Sequence, residues 1–244
     1  MPGRVTTITR LVFPDQANHH GTLFGGEALG MLASCGSIAA HRHARTEVVL
    51  ASSGAVDFVA PIPLGSIVES HASVTSVGRT SMAVEATLEA EELLSGERWS
   101  ACAATFVYVA VDADGRPSPV RRIENHALTA VEGATRSVER VLPGNANPSG
   151  GLFGGELMRF LDSIAFVAAT RAARAPLVTA RAEQTDFASR VAIGELISLN
   201  ARVVKTGERS LVVEVEARAE NPSKATTRPC TTARFVFARP RRDG

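Results

Sequence analysis

Two stretches of the chain carry an apolar pattern that runs nearly all the way round a helix, about Gly26 to His43 and Gly155 to Ala173. The first presents Ala28, Leu29, Met31, Leu32, Ala33, Ile38 and Ala39; the second presents Leu157, Met158, Phe160, Leu161, Ile164, Phe166 and Val167. A helix that is apolar on most faces is one the fold encloses. After each helix the pattern changes to a period of two, as in Ser66-Ile67-Val68-Glu69-Ser70-His71 and Leu211 to Arg218, and again at Cys102 to Val109 and Thr231 to Ala238. That alternation predicts half-buried strands. A short strand is also predicted ahead of each helix, at Val5 to Phe13 and Ser137 to Leu142, with a polar loop carrying Asn18 or Asn147 in between. One enclosed helix followed by four or more antiparallel strands predicts an α+β arrangement, the sheet wrapped around the helix.

The pattern occurs twice because the chain repeats. Displaced by 129 positions, it matches itself without a gap. Ala17, Asn18 and Gly21 fall on Ala146, Asn147 and Gly150, and Leu23-Phe24-Gly25-Gly26-Glu27 falls on Leu152-Phe153-Gly154-Gly155-Glu156. Further on, Asp57-Phe58 meets Asp186-Phe187, Gly78 meets Gly207, Ser81 meets Ser210, and Phe106-Val107 meets Phe235-Val236. Self-similarity at a fixed period is the mark of a repeated structural unit. The expected division is an N-terminal domain over 1–112, a connector over 113–133 and a C-terminal domain over 134–244. The connector opens on turn formers and charge at Asp112 to Pro119, and a short helix is expected from Arg121 to Val131.

Composition narrows the classes. With 45% hydrophobic and 21% charged residues the chain reads as a globular protein, and its net charge of +1 advertises no nucleic-acid partner. The basic Arg239-Pro240-Arg241-Arg242 is too short for a binding stripe. No apolar run approaches the roughly 18–20 residues of a membrane helix, and Met1 to Arg10 has no secretory character. Three scattered cysteines, Cys35, Cys102 and Cys230, suit buried reduced thiols, hence a cytoplasmic setting. The six histidines (His19, His20, His41, His43, His71, His126) show no metal-ligand spacing, so no metal is expected.

The segment from Pro14 through Asn18, Gly21, Gly25 and Gly26, the helix after it, Asp57-Phe58 with Pro61 and Gly65, and Gly78-Arg79-Thr80-Ser81-Met82 together resemble the hotdog-fold acyl-CoA thioesterases. In particular they resemble the subgroup with two fused hotdog domains, the brain-type acyl-CoA hydrolases. The resemblance covers both copies. It implies two tandem hotdog domains paired as an intrachain pseudo-dimer, hydrolysing fatty acyl-CoA to free acid and CoA. It implies no cofactor, since CoA is part of the substrate and product. Homo-oligomeric assembly is implied too, a trimer of tandem chains being one form it takes.

A thioesterase has to polarise a carbonyl, supply a water or nucleophile, and hold the CoA arm. Gly25 and Gly26, like Gly154 and Gly155, stand where helix-start amides lack intrahelical acceptors and where no Cβ blocks a ligand. They equally serve a tight turn into the helix. Asp162 lies among Leu161, Ile164, Ala165 and Phe166, an apolar setting that would favour its neutral form and suit a general base. Its plainer reading is an aspartate paired with Arg159. Thr179, on the following strand, is a candidate partner for Asp162, or an ordinary strand threonine. Position 33, the counterpart of 162, is Ala.

In the resembling family the site lies between protomers, with an Asn and a helix-start Gly from one and an acid from the other. That implies one competent site per chain, built from Asn18 and Gly25 with Asp162, and an acid-free mirror site of Asn147, Gly154 and Ala33. Asp162 would activate a water or attack as nucleophile; both remain open. For CoA, Arg79, Thr80 and Ser81 offer a cation and hydroxyls beside a turn, as do Arg209 and Ser210 in the second copy, where Glu208 replaces Arg79. A plain hairpin turn explains the same residues. A hotdog hydratase is disfavoured because Asn145 and Gly150 stand where its acid and histidine belong. A non-catalytic acyl-CoA-binding protein is the other alternative; an acid at 162 argues against it.

Overall fold

Both predicted helices form, each beginning one residue earlier than the pattern indicates. The structure, a computed structural model, describes residues 5–120 and 133–240; the helix expected at Arg121 to Val131 lies outside them. Helix α1 spans Gly25–Ala44 and α2 spans Gly154–Ala173. Phe24 and Phe153 cap the starts in extended conformation, and Arg45 and Arg174 end them in the left-handed region, at φ 59° and 43°.

The strands are β1 (Thr6–Leu11), β2 (Val48–Phe58), β3 (Ile67–Val77), β4 (Ser81–Glu91) and β5 (Arg98–Ala110) in the first copy. The second has β6 (Thr135–Arg140), β7 (Val178–Ala182), β8 (Leu196–Thr206), β9 (Ser210–Asn221) and β10 (Thr226–Ala238). They form two antiparallel five-stranded sheets, ordered β1-β3-β4-β5-β2 and β6-β8-β9-β10-β7. This is the expected α+β fold of two hotdog domains, each sheet curved round one helix. The β1 strand is shorter than predicted, and β6 keeps its predicted length but starts and ends two residues earlier. The pairing partner decides their extent: β1 matches β3 only from Thr6 to Leu11, and β6 matches β8 only from Thr135 to Arg140.

Alternation along β4 is clean. Met82, Val84, Ala86, Leu88 and Ala90 are buried against α1, whose Leu32, Cys35 and Ala40 have no solvent exposure. The second core repeats the plan, with Leu161, Ile164 and Ala165 of α2 on Val213, Val215 and Ala217 of β9. The helices are not buried all round, however. Leu29 is exposed, and Met158, Phe160 and Phe166 are only partly covered. All three cysteines are free and buried; burial pushes the Cys35 thiol up to about 12 while it donates to the carbonyls of Thr6 and Ser70.

The two domains are joined by matched pairs of contacts. From the end of α1, Arg42 makes a two-pronged ion pair with Glu220 of β9, at 2.9 and 2.6 Å. Its counterpart Arg171, 129 residues on, does the same to Glu91 of β4, at 3.0 and 2.6 Å. The capping arginines follow suit: Arg45 donates to the Pro222 carbonyl and Arg174 to that of Leu93. Arg174 also pairs with Glu91 at 2.7 Å. On β1 and β6, Arg10 pairs with Glu139, its own counterpart, at 2.6 Å. An interface in which residue i meets j and j' meets i' is the isologous contact of a twofold dimer. Here it lies within one chain.

Candidate active site

Four backbone features bring the candidate residues into place. In the first, the loop after β1 makes a 3-10 turn at Pro14–Gln16, then a short reversal closed by Gly21 at φ 73°. Asn18 organises this reversal: its Oδ1 accepts from the His20 and Thr22 amides at 2.9 and 3.3 Å, and its Nδ2 donates to Thr22 Oγ1 at 2.9 Å. Asn147 is placed the same way, accepting from Ser149 and Gly151, but Gly151 provides no hydroxyl for its Nδ2.

Second is the start of each helix, where the two glycines differ in purpose. A Cβ on Gly26 would stand 2.9 Å from the Phe24 ring, and one on Gly155 would stand 2.6 Å from that of Phe153. Gly26 therefore lets the capping phenylalanine fold over the first turn. Gly25 is different, since its nearest neighbour would be the Phe58 ring at 3.6 Å, and Gly154 faces open space. Gly25 lines a cavity of about 290 Å³ with Leu23, Phe58, Pro61 and Ile62. Its amide belongs to the first turn of α1, where intrahelical acceptors are missing and the dipole is positive.

The third feature is the middle of α2. Thr179 Oγ1 donates to Asp162 Oδ1 at 3.0 Å, across from helix to β7. Arg159 is not the partner of Asp162; it pairs with Glu156 at 2.8 Å and lies over the Phe160 ring at 5.0 Å. Asp162 is half-buried, not enclosed as its sequence neighbours suggest, because it faces a strand whose five residues are all exposed. Among the described residues its second oxygen, Oδ2, has no protein partner.

The fourth comprises the two hairpin turns. Gly78 N donates to the Ser81 carbonyl and Gly207 N to that of Ser210, both at 2.8 Å. Arg79 and Arg209 project from them, exposed and without an ion pair among the described residues. Thr80 and Arg79 use their carbonyls to hold Ala110 and Val120. No hydrogen bond or ion pair among the described residues joins either turn to Asn18 or Asp162.

Sequence reading missed the groups lining the seam between domains. A cavity of about 280 Å³ is walled by Phe13 and Gln16, from the loop that carries Asn18, and by Arg159, Phe160 and Ser163, the α2 face beside Asp162. A second cavity, about 370 Å³, lies on the mirror side, with Ala33, Leu50 and Tyr108 in its wall. Leu50 is the counterpart of Thr179. The first copy thus lacks both the acid and its hydroxyl partner, a second asymmetry that the same displacement of 129 would have exposed.

A family model described as the Thioesterase superfamily matches the chain twice, at residues 20–96 and 149–226. The crystal structure of an acyl-CoA hydrolase from Agrobacterium tumefaciens superposes with a TM-score of 0.88 at 32% identity, covering 99% of this chain and 98% of that one. The cytosolic acyl coenzyme A thioester hydrolase of Mus musculus is 25% identical over 263 residues, 89% of this chain and 69% of its own length. An acyl-CoA thioester hydrolase of Bacillus subtilis is 42% identical over 115 residues, 47% of this chain and 67% of that protein. Acyl-coenzyme A thioesterase 11 of Mus musculus, 26% identical, matches 94% of this chain, which spans about half of that relative, 46% of its length.

Proposed function

Because the chain belongs to the thioesterase superfamily, we infer that it hydrolyses acyl-CoA thioesters, releasing a free fatty acid and CoA, at one composite site between its two domains. The observation that carries the reading is the Asp162–Thr179 pair at 3.0 Å, set beside the cavity that α2 shares with the Asn18 loop. The N-terminal domain would contribute Asn18 and Gly25, with Gly26 making room for Phe24 over the first turn, and the C-terminal domain Asp162 and Thr179.

The division of labour follows from the geometry. Thr179 holds one carboxylate oxygen and leaves Oδ2 to take a proton from water or to attack the carbonyl. Asn18 has one Nδ2 hydrogen committed to Thr22, so the second can orient the water or the thioester. The Gly25 amide, with no Cβ in the way, would meet the developing oxyanion; such a donor is typically worth about 10²–10³ in rate. The tetrahedral intermediate then collapses with loss of the CoA thiolate, which leaves as the thiol once protonated; if Asp162 is the nucleophile, the acyl group remains on it as an anhydride, and a water then hydrolyses this to the free acid. Arg79, Thr80 and Ser81, with Arg209 and Ser210, are the groups proposed to meet the CoA phosphates; the exposure of Arg79 and Arg209, and the absence of an ion pair to either among the described residues, support this. No cofactor enters the proposed reaction, and the donor set calls for none.

The setting is proposed to be cytoplasmic. Among the described residues no helix is long and apolar enough to cross a membrane, and the mouse relative is named cytosolic. Further assembly into a homo-oligomer, a trimer of tandem chains, is proposed as well. Its support is the 11-residue edge strand β2, which leaves Val49 and Phe58 exposed. Light scattering on the purified protein tests it.

For the activity itself, the protein is mixed with acyl-CoAs of graded chain length and free thiol is followed. Release by the wild type, its loss in Asp162→Ala and its retention in Ala33→Asp are expected. If the wild type binds acyl-CoA but releases no thiol at any length, a non-catalytic binding protein is the correct reading.

A further inference from the structure

We propose that the cavity on the Ala33 side is a second binding site, for an aliphatic carboxylate, the class of molecule that thioester hydrolysis releases. This rests on the reading that hydrolysis occurs on the Asp162 side. At about 370 Å³ the cavity falls within the range of small-molecule pockets, roughly 300–1,000 Å³.

Its walls divide by chemistry. Ile8, Ile38 and Leu50 of the N-terminal domain face Leu142 of the C-terminal domain, an apolar lining suited to a hydrocarbon chain. Arg140, which with Arg10, Glu139 and Leu142 also lines the cavity on the Asp162 side, brings a cation to this wall, held by the His41 ring at 2.5 Å and by Glu47 at 3.5 Å. The Nε of this guanidinium is buried and finds no hydrogen-bond partner among the described residues. A buried donor left unmet is unfavourable, so an anionic oxygen delivered there is favoured. The other carboxylate in the wall, Glu139, is already neutralised by two hydrogen bonds from Arg10, at 3.2 and 2.6 Å. Ser34 and Ser37 add hydroxyls.

The opposite copy shows why the space exists. There, the position of Ser37 is Phe166, packed edge-on against Phe237 at 6.0 Å. On the Ala33 side the acid, its threonine and this phenylalanine have been replaced by Ala33, Leu50 and Ser37. The result is a wider, more apolar pocket without the groups that activate water. It can hold a chain and cannot cleave one.

Calorimetry with dodecanoate tests the proposal on three proteins: wild type, Asp162→Ala and Ser37→Phe, the last restoring the ring found in the other copy. One site per chain is expected, surviving Asp162→Ala and weakened at least tenfold by Ser37→Phe, whose thiol release without added dodecanoate stays unchanged. Leu50→Glu, at a position 48% exposed and so tolerant of charge, provides an independent block and should weaken binding equally. Titration with CoA alone separates the sources, and CoA should not displace dodecanoate. Absence of binding to the wild type, binding lost in Asp162→Ala but kept in Ser37→Phe, or displacement by CoA would each overturn the proposal. Because binding is read directly, its failure is distinct from failure of the thiol-release assay.

Discussion

The hydroxyl of Tyr108 donates to the backbone carbonyl of Ala33 at 2.7 Å, a bond that the phenylalanine at the matching position of the second copy cannot make. Gly36 makes this contact possible, for a Cβ there would stand 2.9 Å from the Tyr108 oxygen. In the second copy the same two positions are Ala165 and Phe237. Tyrosine goes with glycine and phenylalanine with alanine, since a buried phenol needs both a partner and room.

This pairing predicts a change of sign. Gly36→Ala should destabilise the protein, because overpacking costs about 1–3 kcal/mol and outweighs the gain of roughly 1 kcal/mol from helix propensity. In the Tyr108→Phe background the 2.9 Å contact is gone and only ring carbons at 3.2 and 3.4 Å remain, a pairing the second copy accommodates as Ala165 and Phe237, so the same substitution should stabilise. Urea unfolding of the four proteins checks it; equal effects in both backgrounds would sink the steric account.

At the proposed reaction centre, Asp162→Asn should lower kcat by about 10²–10⁴, the usual range for a positioned acid or base. Thr179→Ala removes one hydrogen bond to a charged group, worth about 1.5–3 kcal/mol, or roughly 10–100-fold in kcat. Thr179→Ser keeps the hydroxyl and should recover most of the loss. Steady-state thiol release separates the three, with KM little changed in each.

His41 sets a pH response. Burial, ahead of the nearby Arg140 and Arg45, pushes it from 6.5 down to about 4, against the opposing pull of Glu47 and Glu220. His43 is lowered in the same direction by burial and Arg45. A histidine that protonates more readily unfolded than folded contributes fully above its unfolded value. Stability should therefore decline as pH falls from 6.5 towards about 4. His41→Gln should flatten that decline, measured as urea midpoints across the window; an unchanged slope would assign the pH response to other groups.

Glu91→Gln should cost about 3–5 kcal/mol, the usual result of removing one partner from a buried pair. Its side chain is only 3% exposed and it is met by Arg171 and Arg174 from the other domain. Glu220→Gln, the matching substitution, should cost at least as much, because Arg171 keeps Glu69 at 3.0 Å when Glu91 is replaced, whereas the counterpart of Glu69 beside Arg42 is Ser198. Denaturant unfolding of the two variants tests whether the joint is balanced.

Much of this architecture was legible before any coordinates. The apolar pattern locates both helices to within a residue, and the displacement of 129 exposes the missing acid at Ala33. What eluded the pattern depends on distance along the chain. Arg42 and Glu220 are 178 residues apart, so periodicity, a local property, says nothing of their meeting. The half-burial of Asp162 was hidden for a related reason, since apolar neighbours in a helix occupy other faces, and the facing strand decides exposure. Gly26 and Gly25 look alike as letters; only the direction of their missing Cβ atoms separates packing from access.

The matched arginines at the helix ends carry one more consequence. Ala33 lies nine residues before Arg42, about 13.5 Å along the helix at 1.5 Å per residue. Asp162 and Arg171 stand at the same remove. The joint between the two copies and the proposed reaction centre thus occupy separate stretches of the same helix. One half could shed its acid without slackening the grip on its twin, and so become free to take up other work.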